Sequence, residues 1–357
     1  MTDEAFYDPF EDMDVTTWAA VDLAPYVRGD VKEVVPTMLA RDDGLHLLYA
    51  AKVHALNSES EAGKTWLALY ACAERMRQGE HVGFIDFEDE AGGVVGRLFS
   101  LGLPAELIHL AFHYIRPDEP MSPAARRDLM RMVDTYTPSL VVLDGVTEAM
   151  ALHDMHIENN NDAARFMKQL VRPIARAGCA TLLLDHLNKD RNAQGRYAIG
   201  AQHKLAGLDG AVYKMENITP FGRGLSGSSR LLVMKDRPGY VRPRCKDAKR
   251  VGTFQFTADT DGMVTAIGIT PPGVVSEDSA AHTDDAFLEK LSRVVEKAKE
   301  QWVNTTAIRK GVEGGNLKVQ FGLAALVTKK CLTRKQEGKA VLYKSVKPFR
   351  AEAEPDA

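Results

Sequence analysis

Residues 56–66 read Leu-Asn-Ser-Glu-Ser-Glu-Ala-Gly-Lys-Thr-Trp, and the order of their chemistry is that of a phosphate cradle. The general pattern is G-x-x-x-x-G-K-[ST], a turn between a strand and a helix whose N–H groups converge on an anion. Gly63 lets the backbone approach closely, Lys64 neutralises the outer phosphates, and the Thr65 hydroxyl holds a magnesium ion. Ser58 stands where the first glycine belongs, which is tolerable if its dihedrals lie in an allowed region. Glu59 and Glu61 sit where a triphosphate would lie, so their carboxylates must point outward while the loop amides point inward. The stretch Ser58, Glu59, Ser60, Glu61, Ala62, Gly63, Lys64, Thr65 and Trp66 is thus the candidate nucleotide site.

Further residues along the chain complete that chemistry. "LVVLD" ends in Asp144, placing a carboxylate at a strand terminus where it can hold the magnesium shell together with Thr65. "HVGFIDFEDE" puts Glu88 just past a strand, with Asp86 and Asp89 as neighbours that leave the register open. "LLLDHLNKD" puts His186 just past another, and "MKDRPG" carries Lys235 and Arg237 two residues apart at the end of a late strand.

Positioning these residues needs parallel strands. From about residue 40 to 215, runs that are apolar throughout ("GLHLLYA" with "KVHAL", "HVGFIDF", "LIHLAFHYI", "SLVVLD", "ATLLLD") alternate with helical stretches at 64–78, 90–101, 123–136 and 159–177. Such runs separated by helices are what a mostly parallel sheet covered on both faces requires, an α/β fold. Gly79 closes the first helix, Ser122-Pro123 opens the third, and Pro173 should kink the fourth. After Met215, "SRLLVMKD", "GTFQFTAD" and "MVTAIGIT" read as antiparallel strands extending the sheet.

The 357 residues, 45% hydrophobic and 26% charged, suit a soluble globular chain with one large and one small domain. No apolar run approaches the ~20 residues of a membrane span, and the acidic N-terminus lacks a signal segment. Cys72, Cys179, Cys245 and Cys331 are scattered, as reduced thiols of a cytoplasmic protein would be. Charge is uneven. Residues 1–30 hold eight acids and one base, whereas residues 286–350 hold fifteen Lys or Arg against five acids. A basic segment on a mildly acidic chain points to a polyanion partner or to a solvated lysine-rich surface.

The ordered set of Gly63-Lys64-Thr65, Glu88, Asp144, His186 and the Lys235/Arg237 pair resembles the RecA-like ATPases, especially the plasmid- and phage-type branch of hexameric replicative helicases, over residues 35–270. The resemblance implies ATP and Mg²⁺ as ligands and sites shared between subunits of a homo-oligomer, a hexameric ring in preference to a filament. It implies that Glu88 polarises the attacking water, that His186 senses the γ-phosphate, and that Lys235 and Arg237 reach the neighbouring subunit's phosphates. Arg97 would stack on adenine. The segment after His186 resembles a mobile pore loop, with Lys189, Arg191 and Arg196 on a single-stranded DNA backbone.

The chain divides by sequence into an acidic arm (1–34), the ATPase core (35–270), a linker (271–284), a small domain (285–350) and a tail (351–357). The small domain reads helix (287–299), helix (305–312), a Gly-Gly turn, helix (317–329) and a strand pair around "KQEGKA", the order of a winged helix-turn-helix. Its Lys318, Lys329, Lys330, Arg334, Lys335 and Lys339 suit the phosphates of duplex DNA, although many such domains dock on proteins instead. Three functions remain open: a motor on single-stranded DNA in replication, a recombinase or annealing ATPase, and an ATP-gated DNA-binding regulator.

Overall fold

The computed structural model describes residues 20–186, 207–273, 285–299, 301–312, 319, 322–323, 325–327, 329–337 and 340–351. Residues 1–35 and 36–357 are two compact units. In the first, the described residues carry one short helix, α1 (Ala24–Val27).

A nine-stranded sheet organises the second unit. Its strands are β3 (Val53–Ser58), β4 (Val82–Asp86), β5 (Phe112–Ile115), β6 (Leu140–Asp144), β7 (Ala180–His186), β8 (Ala211–Thr219), β9 (Gly227–Asp236), β10 (Arg250–Ala258) and β11 (Val264–Thr270), in spatial order β11-β10-β9-β8-β3-β7-β6-β4-β5. β5, β4, β6, β7, β3 and β8 are mutually parallel, and β9, β10 and β11 continue antiparallel from β8. β3, β4 and β6 are buried along their whole length and β7 along all but its last residue, so these strands carry apolar side chains on both faces. Before the sheet, β1 (Met38–Ala40) and β2 (His46–Leu48) form a separate antiparallel pair.

Helices cover both faces. α2 (Lys64–Arg77) lies in one apolar layer with Leu67, Leu69 and Met76 buried. α3 (Ala91–Ser100) and α4 (Ala105–Ala111) add Val94, Leu98 and Ile108 to the same layer. α5 (Pro123–Tyr136), α6 (Val146–Leu152), α7 (Asn160–Phe166) and α8 (Arg172–Arg176) build the other layer around Val133, Met150, Phe166 and Ile174. Local signals set the ends. Ser122 Oγ accepts the Ala125 N–H at 3.1 Å ahead of Pro123, and Gly79 turns left-handed (φ 81°) after α2.

The structure corrects several sequence expectations. "LIHLAFHYI" is not one strand: its first part belongs to α4 and only Phe112–Ile115 is extended, because a seven-residue helix and a strand with apolar side chains look alike without a break between them. "GLHLLYA" leaves the main sheet for the small β1–β2 pair. β8 was missed, since "AVYKMENIT" mixes charge into its second half, where burial falls away. The stretch 160–176 is one continuous helical run, as read from sequence, but the disturbance at Pro173 takes a form the sequence did not specify. Pro173 has no N–H for the Gln169 carbonyl, and the chain widens into a π-helical turn over Met167–Val171 between α7 and α8.

In the tail, α9 (Asp285–Glu296), β12 (Val303–Asn304) and α10 (Thr305–Lys310) precede helical residues 319, 322, 323 and 325–327, and β13 (Leu332–Glu337) pairs with β14 (Ala340–Ser345). β12 adds to the free edge of β14, so a three-stranded sheet in the order β12-β14-β13 closes over Leu291, Ile308, Leu326 and Tyr343. β12 had no sequence signal; two residues are too short to show a period.

Candidate active site

The candidate residues gather at the carboxyl ends of β3, β4, β6 and β7, where open α/β sheets bind ligands. β3 ends at Ser58, which is fully buried and donates its hydroxyl to the Glu59 carbonyl at 2.7 Å. The loop then turns through Glu61 (φ 60°) and Gly63 (φ 85°) into α2. Its carbonyls are held from the antiparallel side: Phe221 N–H donates to Glu61 O at 3.0 Å, and Ser229 Oγ to Ala62 O at 2.8 Å. A Cβ on Gly63 would stand 2.6 Å from the Phe221 ring. The first-turn amides of α2 have no intrahelical acceptor, and no side chain caps them. Carbonyls tied down and amides left over are what an anion cradle needs. Glu59, Ser60 and Glu61 are exposed. The Trp66 indole is buried on Phe256, with ring centres 4.7 Å apart, so only its backbone faces the loop's task.

Thr65 Oγ1 donates to Asp144 Oδ2 at 2.8 Å, and the other oxygen, Oδ1, is buried with no hydrogen-bond partner. Burial, and next the charge of Glu88, push the Asp144 carboxyl up to about 7. A buried, unpartnered carboxylate oxygen beside a hydroxyl is a hard-oxygen donor set that a Mg²⁺ ion would complete. Thr65 and Asp144 therefore fit such an ion, which would supply charge neutralisation at the phosphates.

The carboxylates after β4 have separate partners. Asp86 Oδ1 accepts the N–H groups of Glu88 and Asp89, both at 2.9 Å, and Oδ2 accepts the Tyr114 hydroxyl at 3.0 Å. Asp89 pairs with Arg97 at 2.6 Å. Glu88 lies 3.0 Å from His186 Nε2. The His186 contact holds the Glu88 carboxyl below its ordinary range, and the same contact raises the imidazole. Lys64 Nζ stands 3.2 and 3.3 Å from the two His186 nitrogens. Lys64, Glu88 and His186 thus form one polar cluster, with Thr65 and Asp144 beside it. Arg97 is committed to Asp89 and takes no part in that cluster.

Sequence reading missed the residues that make room for it. Gly145 is left-handed (φ 83°), and a Cβ there would lie 2.7 Å from Glu88 Cγ. Glu148, in the first turn of α6, has its carboxyl raised by burial above all, with the Glu88 charge adding to the effect. Asp185 Oδ1 accepts both the Thr147 hydroxyl and the His186 N–H at 3.0 Å, fixing the backbone that carries the imidazole. The glycine after "LVVLD" was the available signal; the acid three residues beyond it had none.

Lys235 and Arg237 lie elsewhere. Lys235 pairs in register with Val212, which pairs with Ala55, and the Arg237 N–H binds Gly210 O at the level of Val53. At ~3.3 Å per residue, Arg237 is about 17 Å down the sheet from Ser58, before two strand widths are counted. Neither residue reaches the loop of the same chain. Lys235 Nζ donates to the Leu208 carbonyl at 2.7 Å, while Arg237 is exposed.

Among the basic residues of the tail, Lys329 lies over the Phe349 ring at 5.2 Å, and Lys335 pairs with Glu337 at 3.0 Å beside Trp302. Lys330 and Arg334 are exposed. Lys189, Arg191, Arg196, Lys318 and Lys339 lie outside the described residues.

Residues 43–192 match the family model of the AAA domain, a P-loop ATPase domain, and the matched span contains Lys64, Thr65, Glu88, Asp144 and His186. No curated protein matches the chain. The match and the α/β sheet support nucleotide binding and ATPase activity of the P-loop kind. Among the described residues no helix is long and apolar enough to cross a membrane.

Proposed function

We propose that the chain is an ATP-driven motor on single-stranded DNA, of the replicative helicase kind, working as a homo-oligomer that shares its ATP sites between neighbours. The observation that carries the reading is the cluster of Lys64, Glu88 and His186 beside Thr65 and Asp144 at four adjacent strand ends. Amides of the 58–65 loop and Lys64 bind the phosphates. Thr65 and Asp144 hold the magnesium ion. Glu88, once His186 turns toward a γ-phosphate, accepts the proton of the attacking water and lends rate by general-base action.

The distance of Arg237 from its own loop suits a role across an interface, where a guanidinium would stabilise charge in the transition state. Loss of such a residue typically costs 10³-fold or more in turnover. The basic tail supports a nucleic-acid partner, with the α9–β14 fold acting as a winged helix on duplex phosphates. A second reading, an ATP-gated DNA-binding regulator, is favoured by the same tail, whose separate apolar core would let it hold DNA on its own account.

ATP turnover with and without single-stranded DNA tests the proposal. The parent should be strongly stimulated, and Lys64→Ala, Glu88→Gln and Arg237→Ala should each lose the stimulated rate. An Arg237→Ala protein that behaves like the parent would refute the shared site. Strand displacement that survives deletion of residues 284–357 would count against the regulator.

A further inference from the structure

A groove of about 710 Å³ runs between α5 and the α7–α8 segment, on the sheet face opposite α2. Arg126, Arg165, Lys168 and Arg176 line it, and no carboxylate does. Arg165 is satisfied by Asp162 at 3.0 Å. Arg126, Lys168 and Arg176 make no side-chain hydrogen bond or ion pair among the described residues, although carboxylates are abundant on the chain. All three are exposed, so their charges are open to an anion seated in the groove.

The backbone has been bent to make it. Lys168 and Gln169 sit on the π-helical turn over Met167–Val171, and such turns recur at functional sites because they re-aim side chains. Pro173, which forces that turn, itself lines the groove. Arg126 reaches in from the facing helix, so the cations come from two elements and do not form a stripe on one. A second cavity of about 360 Å³ opens from the same place, sharing Arg126 and Gln169 and lined beyond them by Met121, Met155 and Leu170. The basic surface therefore continues into an apolar one.

We infer that this groove binds a single-stranded nucleic acid, with Arg126, Lys168 and Arg176 on successive phosphates and the apolar continuation taking a base. The inference rests on the DNA-motor reading and adds to it a contact surface away from the loop after His186. A single strand is chosen over an acidic protein segment because the DNA-motor reading already supplies it.

The test is a salt titration of binding to a fluorescent deoxythymidine strand of about 20 nucleotides, with the full chain. The triple variant Arg126→Gln, Lys168→Gln, Arg176→Gln is compared with the parent and with Lys246→Gln, Lys249→Gln, Arg250→Gln, which removes the same charge elsewhere. Each lost phosphate contact lowers the slope of log K against log salt by about 0.7 for single strands, so the groove variant should lose about 2 in slope and at least tenfold in affinity at ~0.1 M salt. Its DNA-free ATP turnover should equal the parent's, which shows that it folds. A groove variant that tracks the control overturns the groove while leaving the motor reading intact. A parent that binds no strand overturns both. Displacement of the strand by millimolar inorganic phosphate at constant ionic strength would assign the groove to small phosphates and overturn the strand assignment.

Discussion

At the residue scale, two glycines decide whether the polar cluster can exist. Gly63 combines a left-handed φ of 85° with a Phe221 ring 2.6 Å from where a Cβ would be. Gly63→Ala should therefore cost about 1–3 kcal/mol from the backbone alone and abolish nucleotide binding, as read by thermal unfolding with and without an ATP analogue. Gly145 shares the left-handed backbone (φ 83°), but its missing Cβ leaves space for Glu88 and not for an aromatic ring. Gly145→Ala should keep nucleotide affinity and lose turnover, because it displaces the proton acceptor and leaves the cradle untouched. The chemistry of the site was legible at this scale wherever a residue type is demanded by a spacing, as at Lys64, Thr65 and Asp144. The choice between Asp86, Glu88 and Asp89 was not. It depends on which carboxylates their own surroundings consume: Asp86 takes the N–H groups of Glu88 and Asp89, and Asp89 takes the Glu90 N–H and Arg97, which leaves Glu88 to face His186.

At the scale of elements, β3 carries the loop and is itself anchored by a buried histidine. His54 Nδ1 accepts the Ala211 N–H at 3.1 Å, and Nε2 lies 3.0 Å from both the N–H and the carbonyl of Tyr49, so the ring is held between two backbone segments. Burial pushes this imidazole down from an ordinary value of 6.5 to about 4. The unfolded chain therefore takes up a proton that the folded chain refuses between those values. Stability from His54 is fully present above pH ~6.5 and falls as pH drops toward ~4. Thermal midpoints across that range should decline more steeply for the parent than for His54→Gln, even though the variant is less stable at neutral pH. The central strands could be read from sequence because they are buried on both faces and rich in valine and leucine. β8 could not, since only half of it is buried, and the π-helical turn could not, since proline announces a disruption without saying which kind.

At the scale of the whole molecule, the assembly claim turns on Arg237 lying far from its own phosphate loop. A ring that shares its sites makes a specific demand. Lys64→Ala and Arg237→Ala subunits, each inactive alone, should recover part of the parent's ATP turnover when mixed, because some interfaces then join an intact loop to an intact Arg237. Mixtures that stay at the sum of the two separate rates would show that the sites are not shared. The uneven charge, with an acidic first 30 residues and a basic 286–350, was plain in the sequence. The basic groove was not, because Arg126 is distant in sequence from Lys168 and Arg176 and only the packing of α5 on the α7–α8 segment brings them together.

The central claim is that the loop at Ser58–Thr65 holds magnesium ATP while Glu88 performs the proton transfer. Glu88→Gln separates the two halves of it in one assay, equilibrium binding of labelled ATP followed by its single-turnover hydrolysis. The account requires parent-like binding with hydrolysis slowed by ~10²-fold or more. Full-speed hydrolysis by the variant, or no ATP bound by the parent, would contradict it.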